Sequence, residues 1–422
     1  MLKRNPRAKT HPEIVRAFSL FAVLSCLLAG FCTLRADSAT DTNALSPDYS
    51  VIRGANYCAA EGHHLEHWLN YDSKETARDL DYAKKININQ IRVFLSYAAY
   101  TTNKEAFRKN LLDLVHACQT RGIGLMPVVT YKSEMIKEPA PYPLSRAWAK
   151  DLVDTIGHEP ALAIWDVFNE PDYPPDSPNR LSNIAHARVM AEIFHELATH
   201  QPRTPITIGF AFEKPMEENA DAVDVLSFHD YSPAREEIRS NINAALTFAA
   251  KVHKPVINTE IGCVARANPY DMIIEEYSKA HVGFYVWELM ITKYWGNVHG
   301  IFYPDGTIRD PSIPAAMLGL YRNRSTNVVL ELPDREGWVT RTVTNGWNWM
   351  NRTNASYAQG LDLAETAANL LEANQIVAMR DLPTRHVAQF REETPDMVAL
   401  CEFLADLLHK LEPYRREATA PK

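Results

Sequence analysis

Two acidic residues stand where an apolar run gives way to polar side chains. In "AIWDVFNEPD" (163–172), Ala163, Ile164, Val167 and Phe168 flank Trp165 and Asp166, and Asn169, Glu170 and Pro171 follow at once. In "PVINTEIG" (255–262), Glu260 sits near the end of a second apolar run. Arg92 in "IRVFLSY", His229 and Tyr231 in "SFHDYS" and Trp287 in "VWELM" lie in runs of the same kind. A protonated carboxyl and an ionised one, set among aromatics and a guanidinium, suit acid–base cleavage of a glycosidic bond. The first releases the leaving oxygen, and the second attacks or stabilises the anomeric carbon. Asn-Glu-Pro alone says little, because at about 5% usage per residue type roughly one chain of this length in twenty carries it by chance. Its meaning depends on the elements that bring Glu170 and Glu260 together.

From residue 51 onward, short β-rich runs alternate with helical patterns. The strands are predicted at 51–57, 88–95, 123–129, 161–169, 205–210, 223–231, 255–262 and 282–289. Most are nearly continuous apolar runs, as expected of parallel strands covered on both faces. Helical spacing occupies 74–86, 103–122, 145–157, 181–200, 235–253 and 268–281. The connector after the fifth strand is short and carries the weakest helical pattern. Eight alternations of strand and helix over this span match the count and size of a (β/α)8 TIM barrel, an α/β fold. A doubly wound open sheet is the structural rival, but no Gly-rich phosphate turn follows the first strand. In a barrel the site lies at the C-terminal ends of the strands, where Arg92, Asn169, Glu170, His229, Tyr231, Glu260 and Trp287 fall.

With those motifs in order on those strands, the chain resembles the clan A glycoside hydrolases, and within them family 5, the cellulase and mannanase group. The resemblance covers residues 48–323 and rests on "IRVFLSY", "WDVFNEP", "SFHDYS", "NTEIG" and "VWELM". It implies a retaining β-glycosidase acting on a β-glucan or β-mannan, with Glu170 as acid/base and Glu260 as nucleophile. By the same resemblance Asn169 holds the sugar 2-hydroxyl, and Arg92 and Tyr231 keep Glu260 ionised. Trp287 floors the sugar at the cleavage point, and His229 bonds near the acid/base or the substrate. The two carboxyl groups are expected about 5–5.5 Å apart. The third strand departs from the pattern: "VVTYKSE" lacks the histidine many members carry, and Tyr131 is expected to fill that space. Tyr294 and Trp295, in the long loop after the eighth strand, are candidates to stack on sugar faces. The alternatives are an exo-acting glycosidase on short oligosaccharides and a carbohydrate-binding barrel without catalysis. The presence of both glutamates argues against the second. A metal-dependent barrel hydrolase would need a His/Asp ligand set that "PITIGF" does not offer.

The loop "AEGHHLEHWLNYD" (60–72) after the first strand places His63 and His67 four apart, a metal spacing only if the loop is helical. No further ligand set accompanies them, and the family mechanism uses neither metal nor cofactor. Substrate contact from His63, His64 or Trp68 is the competing reading, with plain loop packing as the third.

The 422 residues carry a net charge of -8, which supplies no electrostatic attraction toward nucleic acid or an anionic membrane. The supply of 8 Trp, 18 Tyr and 15 Phe suits a ring-shaped ligand, although a large core uses aromatics too. The first 36 residues read as a signal peptide: a basic start, an apolar run from Phe18 to Cys32 and small residues, with a cut after Ala36. An uncleaved anchor is the lesser alternative. The mature chain, after a linker at 37–47, is expected to be secreted or periplasmic, monomeric and free of the membrane. Cys58, Cys118, Cys263 and Cys401 remain and read as buried free thiols. Residues 324–422 form a C-terminal extension predicted to be mostly helical, since Met397, Leu400, Cys401, Leu404, Leu407, Leu408 and Leu411 share one helical face.

Overall fold

The computed structural model describes residues 48–62, 64–131, 136–198, 203–232, 234–262, 268, 270–291, 299–321, 328–330 and 415–417. Eight parallel strands close into a barrel in chain order. They are β1 (Arg53–Asn56), β2 (Gln90–Phe94), β3 (Gly124–Val128), β4 (Trp165–Asn169), β5 (Ile206–Phe210), β6 (Leu226–Asp230), β7 (Val256–Ile261) and β8 (Gly283–Val286). Each lies within the run predicted for it, and β8 pairs with β1 to complete the ring. The chain is therefore a (β/α)8 TIM barrel.

The helices follow from caps and amphipathic spacing. They are α1 (Leu65–Leu69), α2 (Ser73–Lys85), α3 (Tyr97–Thr102), α4 (Lys104–Arg121), α5 (Pro143–Ile156), α6 (Arg180–Leu197), α7 (Arg235–Val252), α8 (Tyr270–Lys279) and α9 (Ser312–Met317). Asp72 opens α2 by accepting from the backbone of Lys74 and Glu75, and Asn103 opens α4 by accepting from Ala106. Gly122 ends α4 in the left-handed region at φ 67°, where glycine is free of a Cβ penalty. After β5 the connector forms a 3₁₀ helix, Pro215–Ala222, in place of an α-helix. Asn219, which leaves the helical region at φ -120°, and Asp221 are poor helix formers, which accounts for the weak pattern there. The short helices α1, α3 and α9 span too few turns to show a period in sequence.

The alternation on β2 shows how the barrel sorts side chains. Ile91 and Val93 point out into the large cluster that joins strands to helices. Gln90, Arg92 and Phe94 point in, where Gln90 receives the Tyr285 hydroxyl and Arg92 reaches β1, β4 and β7. At the barrel floor Ile52, Met126, Ile164, Val225, Ile257 and Tyr285 form an apolar plug. At the mouth Phe94, Val128, Tyr131 and Trp287 form a second apolar patch, with Tyr231 against it. Between the two lies a buried polar layer centred on Arg92.

Cys58 and Cys118 are buried free thiols, as expected, and burial raises both, Cys118 to about 12. Cys263, Cys401 and residues 1–47 lie outside the described residues, as does the helical face predicted over 397–411. In the extension the structure describes two short antiparallel strands, Val328–Leu330 and Arg415–Glu417. Among the described residues no helix is long and apolar enough to cross a membrane.

Candidate active site

Arg92 is the hub. It is fully buried, and its fork donates to four side chains. Nε meets Asp166 Oδ2 at 2.9 Å, and Nη1 meets Asn56 Oδ1 at 2.8 Å and Glu260 Oε1 at 2.6 Å. Nη2 meets Asn169 Oδ1 at 2.6 Å and lies 2.8 Å from Asp166 Oδ2. Burial works against the Arg92 charge, but Asp166 and Glu260 outweigh it and raise its pKa. Burial likewise raises the Asp166 carboxyl, and Arg92 opposes that shift. Glu260 is 5% exposed, and both its oxygens are engaged, because Tyr231 donates its hydroxyl to Oε2 at 2.8 Å. Its backbone N–H is held by Asn258 Oδ1 at 2.9 Å.

Glu170 stands in a different setting. Its side chain is 24% exposed and its backbone takes φ 49°, a left-handed turn uncommon for a residue with a Cβ. That turn is held by the Glu170 N–H, which donates to the Gly209 carbonyl at 2.6 Å. His229 Nδ1 lies 2.9 Å from Glu170 Oε1 and 3.5 Å from Glu260 Oε2, so one imidazole edge serves both carboxyls. Single ligand-type atoms of Glu170, His229 and Glu260 all lie within 4.8 Å of one another. Such a trio could hold a cation, but both Glu260 oxygens already accept from Arg92 and Tyr231, and the guanidinium supplies the positive charge there.

The structure thus brings together Arg92, Tyr131, Asn169, Glu170, His229, Tyr231, Glu260 and Trp287. Trp287 is 5% exposed and meets Phe94 edge-on, with ring centroids 5.8 Å apart. Tyr131, on the loop after β3, meets the same ring at 5.5 Å, and His64 lies against Tyr131 at 4.8 Å with planes 31° apart. His64 is therefore placed at the mouth. His63, Tyr294 and Trp295 lie outside the described residues.

One reading of the loop after β1 is corrected. Trp68 is no substrate contact: it is buried, donates Nε1–H to the Phe94 carbonyl at 2.6 Å and stacks on Tyr71. His67 packs in the core against Tyr57, and its Nδ1 accepts the Ala59 N–H at 3.1 Å. His67 lies on α1, which begins at Leu65, and its partner in the predicted spacing, His63, lies outside the described residues.

Sequence reasoning missed Asn56, Phe94, Asp166, Asp172 and Gly209. Asp166 carried a signal, a charge inside an apolar strand run. Strict alternation would put Asp166 and Asn169 on opposite faces, but a register shift between them turns both toward Arg92. Gly209 gives the hub room: a Cβ there would lie 3.0 Å from Asp166 Oδ2 and 3.1 Å from both Arg92 Nη2 and His229 Nε2. Asp172 is 1% exposed, accepts the Ala211 N–H at 2.8 Å on Oδ1, and is raised to about 6 by burial.

No protein-family model matches the sequence, and no curated protein matches it. Solved structures do share the architecture. An exo-β-1,4-mannosidase, Op5Man5, from Opitutaceae bacterium strain TAV5 superposes with a TM-score of 0.51 at 18% identity, over 63% of this chain. This chain spans only 58% of that mannosidase's length. A GH5_18 protein from Streptomyces cattleya, solved in complex with GlcNAc, gives 0.52 at 15% identity, over 65% of this chain and 81% of that one. A GH5-4 broad-specificity endoglucanase from Clostridium longisporum gives 0.51 at 12% identity, over 66% of this chain and 99% of that one. What this chain shares with all three is the (β/α)8 barrel.

Proposed function

We propose that the protein is a retaining β-glycosidase of the family 5 type, acting on β-linked glucan or mannan. The observation that carries this reading is the Glu170–Glu260 pair. Their oxygens approach within 4.8 Å, one carboxylate is clamped by Arg92 and Tyr231, and the other is partly open to solvent. A separation of about 6.5–9.5 Å would leave room for a water between the carboxyls, whereas about 5–5.5 Å suits a covalent intermediate. The substrate class draws support from the neighbours, whose names describe a β-1,4-mannosidase and an endoglucanase.

In this mechanism Glu170 gives its proton to the glycosidic oxygen while a Glu260 oxygen bonds the anomeric carbon. The carbon–oxygen bond to the leaving group breaks, and its electron pair stays on the departing oxygen. A glycosyl ester on Glu260 remains, with inverted configuration. Glu170, now ionised, takes a proton from water as that water attacks the same carbon. Glu260 leaves, and the second inversion restores the β configuration. The hub keeps Glu260 positioned throughout, and His229 orients Glu170. Trp287, beside Phe94 and Tyr131, offers the apolar surface for the sugar ring being cleaved.

The test is hydrolysis of a panel of β-glucan, β-mannan, xylan and aryl β-glycosides by the wild type, Glu170→Ala and Glu260→Ala. Proton NMR follows the anomer released first. A β product from the wild type and loss of turnover in Glu260→Ala are expected. An α product would remove the retaining mechanism, and activity surviving in Glu260→Ala would remove the nucleophile. Binding without cleavage by the wild type would leave only a carbohydrate-binding barrel. We also propose that the chain is exported, on the strength of its basic and apolar start, and that it acts as a monomer. A secreted product that begins at Asp37 and sediments as a single chain would bear this out.

A further inference from the structure

The turn that carries Glu170 also carries half of an aromatic pair to which the chemistry above gives no role. Tyr173, three residues past Glu170, and Phe212, two past the end of β5, are each 39% exposed. Their ring centroids lie 6.4 Å apart with planes tilted by 44°. Both rings stand on loops leaving the C-terminal ends of adjacent strands, the end of the barrel where Glu170 and Glu260 meet.

The backbone beneath the pair is laced together. The Tyr173 N–H donates to the Glu170 carbonyl at 3.2 Å, and the Glu170 N–H donates to the Gly209 carbonyl at 2.6 Å. Asp172, between Glu170 and Tyr173, reaches across to the Ala211 N–H at 2.8 Å, next to Phe212. Asp172 is itself buried, so this bond lies in the protein and not in solvent. The backbone that carries the two large rings is thus fixed before any ligand arrives, which lowers the entropy lost when a sugar ring packs on them.

The chemistry decides what lies there. The proton from Glu170 goes to the glycosidic oxygen, and that oxygen departs with the leaving group. The leaving group therefore lies on the Glu170 side of the scissile bond. The sugar being cleaved lies against Glu260 and the cluster of Phe94, Tyr131 and Trp287, supplied by β2, the loop after β3 and the end of β8. We propose that Tyr173 and Phe212 form a binding site for a pyranose ring in the leaving-group position. The preferred substrate then extends at least one sugar past the cleaved bond. This inference rests on the retaining-glycosidase reading.

The experiment compares the wild type, Tyr173→Ala/Phe212→Ala and Tyr173→Phe on two substrates with the same glycone. One is the β-glycosyl fluoride, whose leaving group is too small to reach either ring. The other is the matching β-1,4-linked trisaccharide of glucose or mannose. The double variant is expected to lose about tenfold or more in kcat/KM on the trisaccharide, equivalent to about 1.4 kcal/mol. The fluoride reaction keeps its rate, and Tyr173→Phe keeps both. Equal losses on both substrates would assign the pair a purely structural role, and no loss on either would overturn the site. Should the wild type cleave neither substrate, the glycosidase reading falls. Calorimetric titration with the trisaccharide then decides the platform, and an unchanged Kd in the double variant overturns it.

Discussion

Arg92→Met removes the hub while keeping an unbranched apolar stem of similar length. Asp166 and Arg92 are fully buried and Glu260 nearly so, so the substitution leaves two buried carboxylates without their counter-charge. Breaking a buried pair by removing one partner costs about 3–5 kcal/mol, because the remaining charge stays desolvated. For a domain of this size about 1 kcal/mol shifts Tm by about 2–4 °C, so a fall of about 6–20 °C is expected in a calorimetric melt. Catalysis suffers separately. Glu260 loses the 2.6 Å donor on Oε1, and Asn169 loses the 2.6 Å bond that orients its amide. Removal of one preorganised donor costs about 10²–10³ in kcat, which turnover of an aryl β-glycoside would report. A second variant tests the cause: Arg92→Met/Asp166→Asn removes the orphaned charge but keeps an oxygen for the Gly209 N–H, now bonded at 3.1 Å. It is expected to regain part of the lost Tm and none of the activity. A Tm within about 2 °C of wild type for the single variant, or no recovery in the double, would refute the account of Arg92 as a charge-balancing hub.

Two further outcomes follow from the same geometry. Gly209→Ala places a methyl group 3.0–3.1 Å from Asp166, Arg92 and His229, and so displaces the imidazole that orients Glu170. Overpacking of this kind costs about 1–3 kcal/mol, and a small misplacement lowers kcat about ten- to a hundredfold; melting and steady-state kinetics check the two separately, and wild-type kcat would show that the crowding is relieved elsewhere. Asp172, raised to about 6 from its ordinary 3.8 by burial, binds its proton more tightly folded than unfolded. Its stabilising share is full below about pH 4 and is lost as pH rises through 6. The Tm of Asp172→Asn relative to wild type is therefore expected to climb between pH 4 and pH 7, and a flat difference would show that ionised Asp172 is not penalised by its site.

The legible part of the site consisted of side chains at strand ends. Glu170, Glu260, Arg92, His229, Tyr231 and Trp287 are polar or aromatic residues closing apolar runs, and their order along eight such runs placed them at one mouth. The cap residues Asp72 and Asn103 and the stop at Gly122 were equally local, so the bounds of α2 and α4 followed closely. Trp68 misled because an aromatic in a polar loop gives no sign in sequence of whether it folds under or faces out. Its indole found the Phe94 carbonyl, a partner set by the path of β2 and not by any neighbour in the chain.

By itself the sequence determined the alternation, and with it the barrel, because eight apolar runs joined by amphipathic helices have few other ways to bury both faces of a parallel sheet. It also determined which two carboxyls would share the mouth. Only the tertiary structure decided how they differ. The register shift in β4 turned Asp166 inward beside Asn169, the missing side chain of Gly209 left space for the guanidinium, and Arg92 crossed the barrel to clamp Glu260. Those facts depend on atoms brought within 3 Å across strands far apart in the chain. A run of residues along one strand carries its own period but not the packing of its opposite wall.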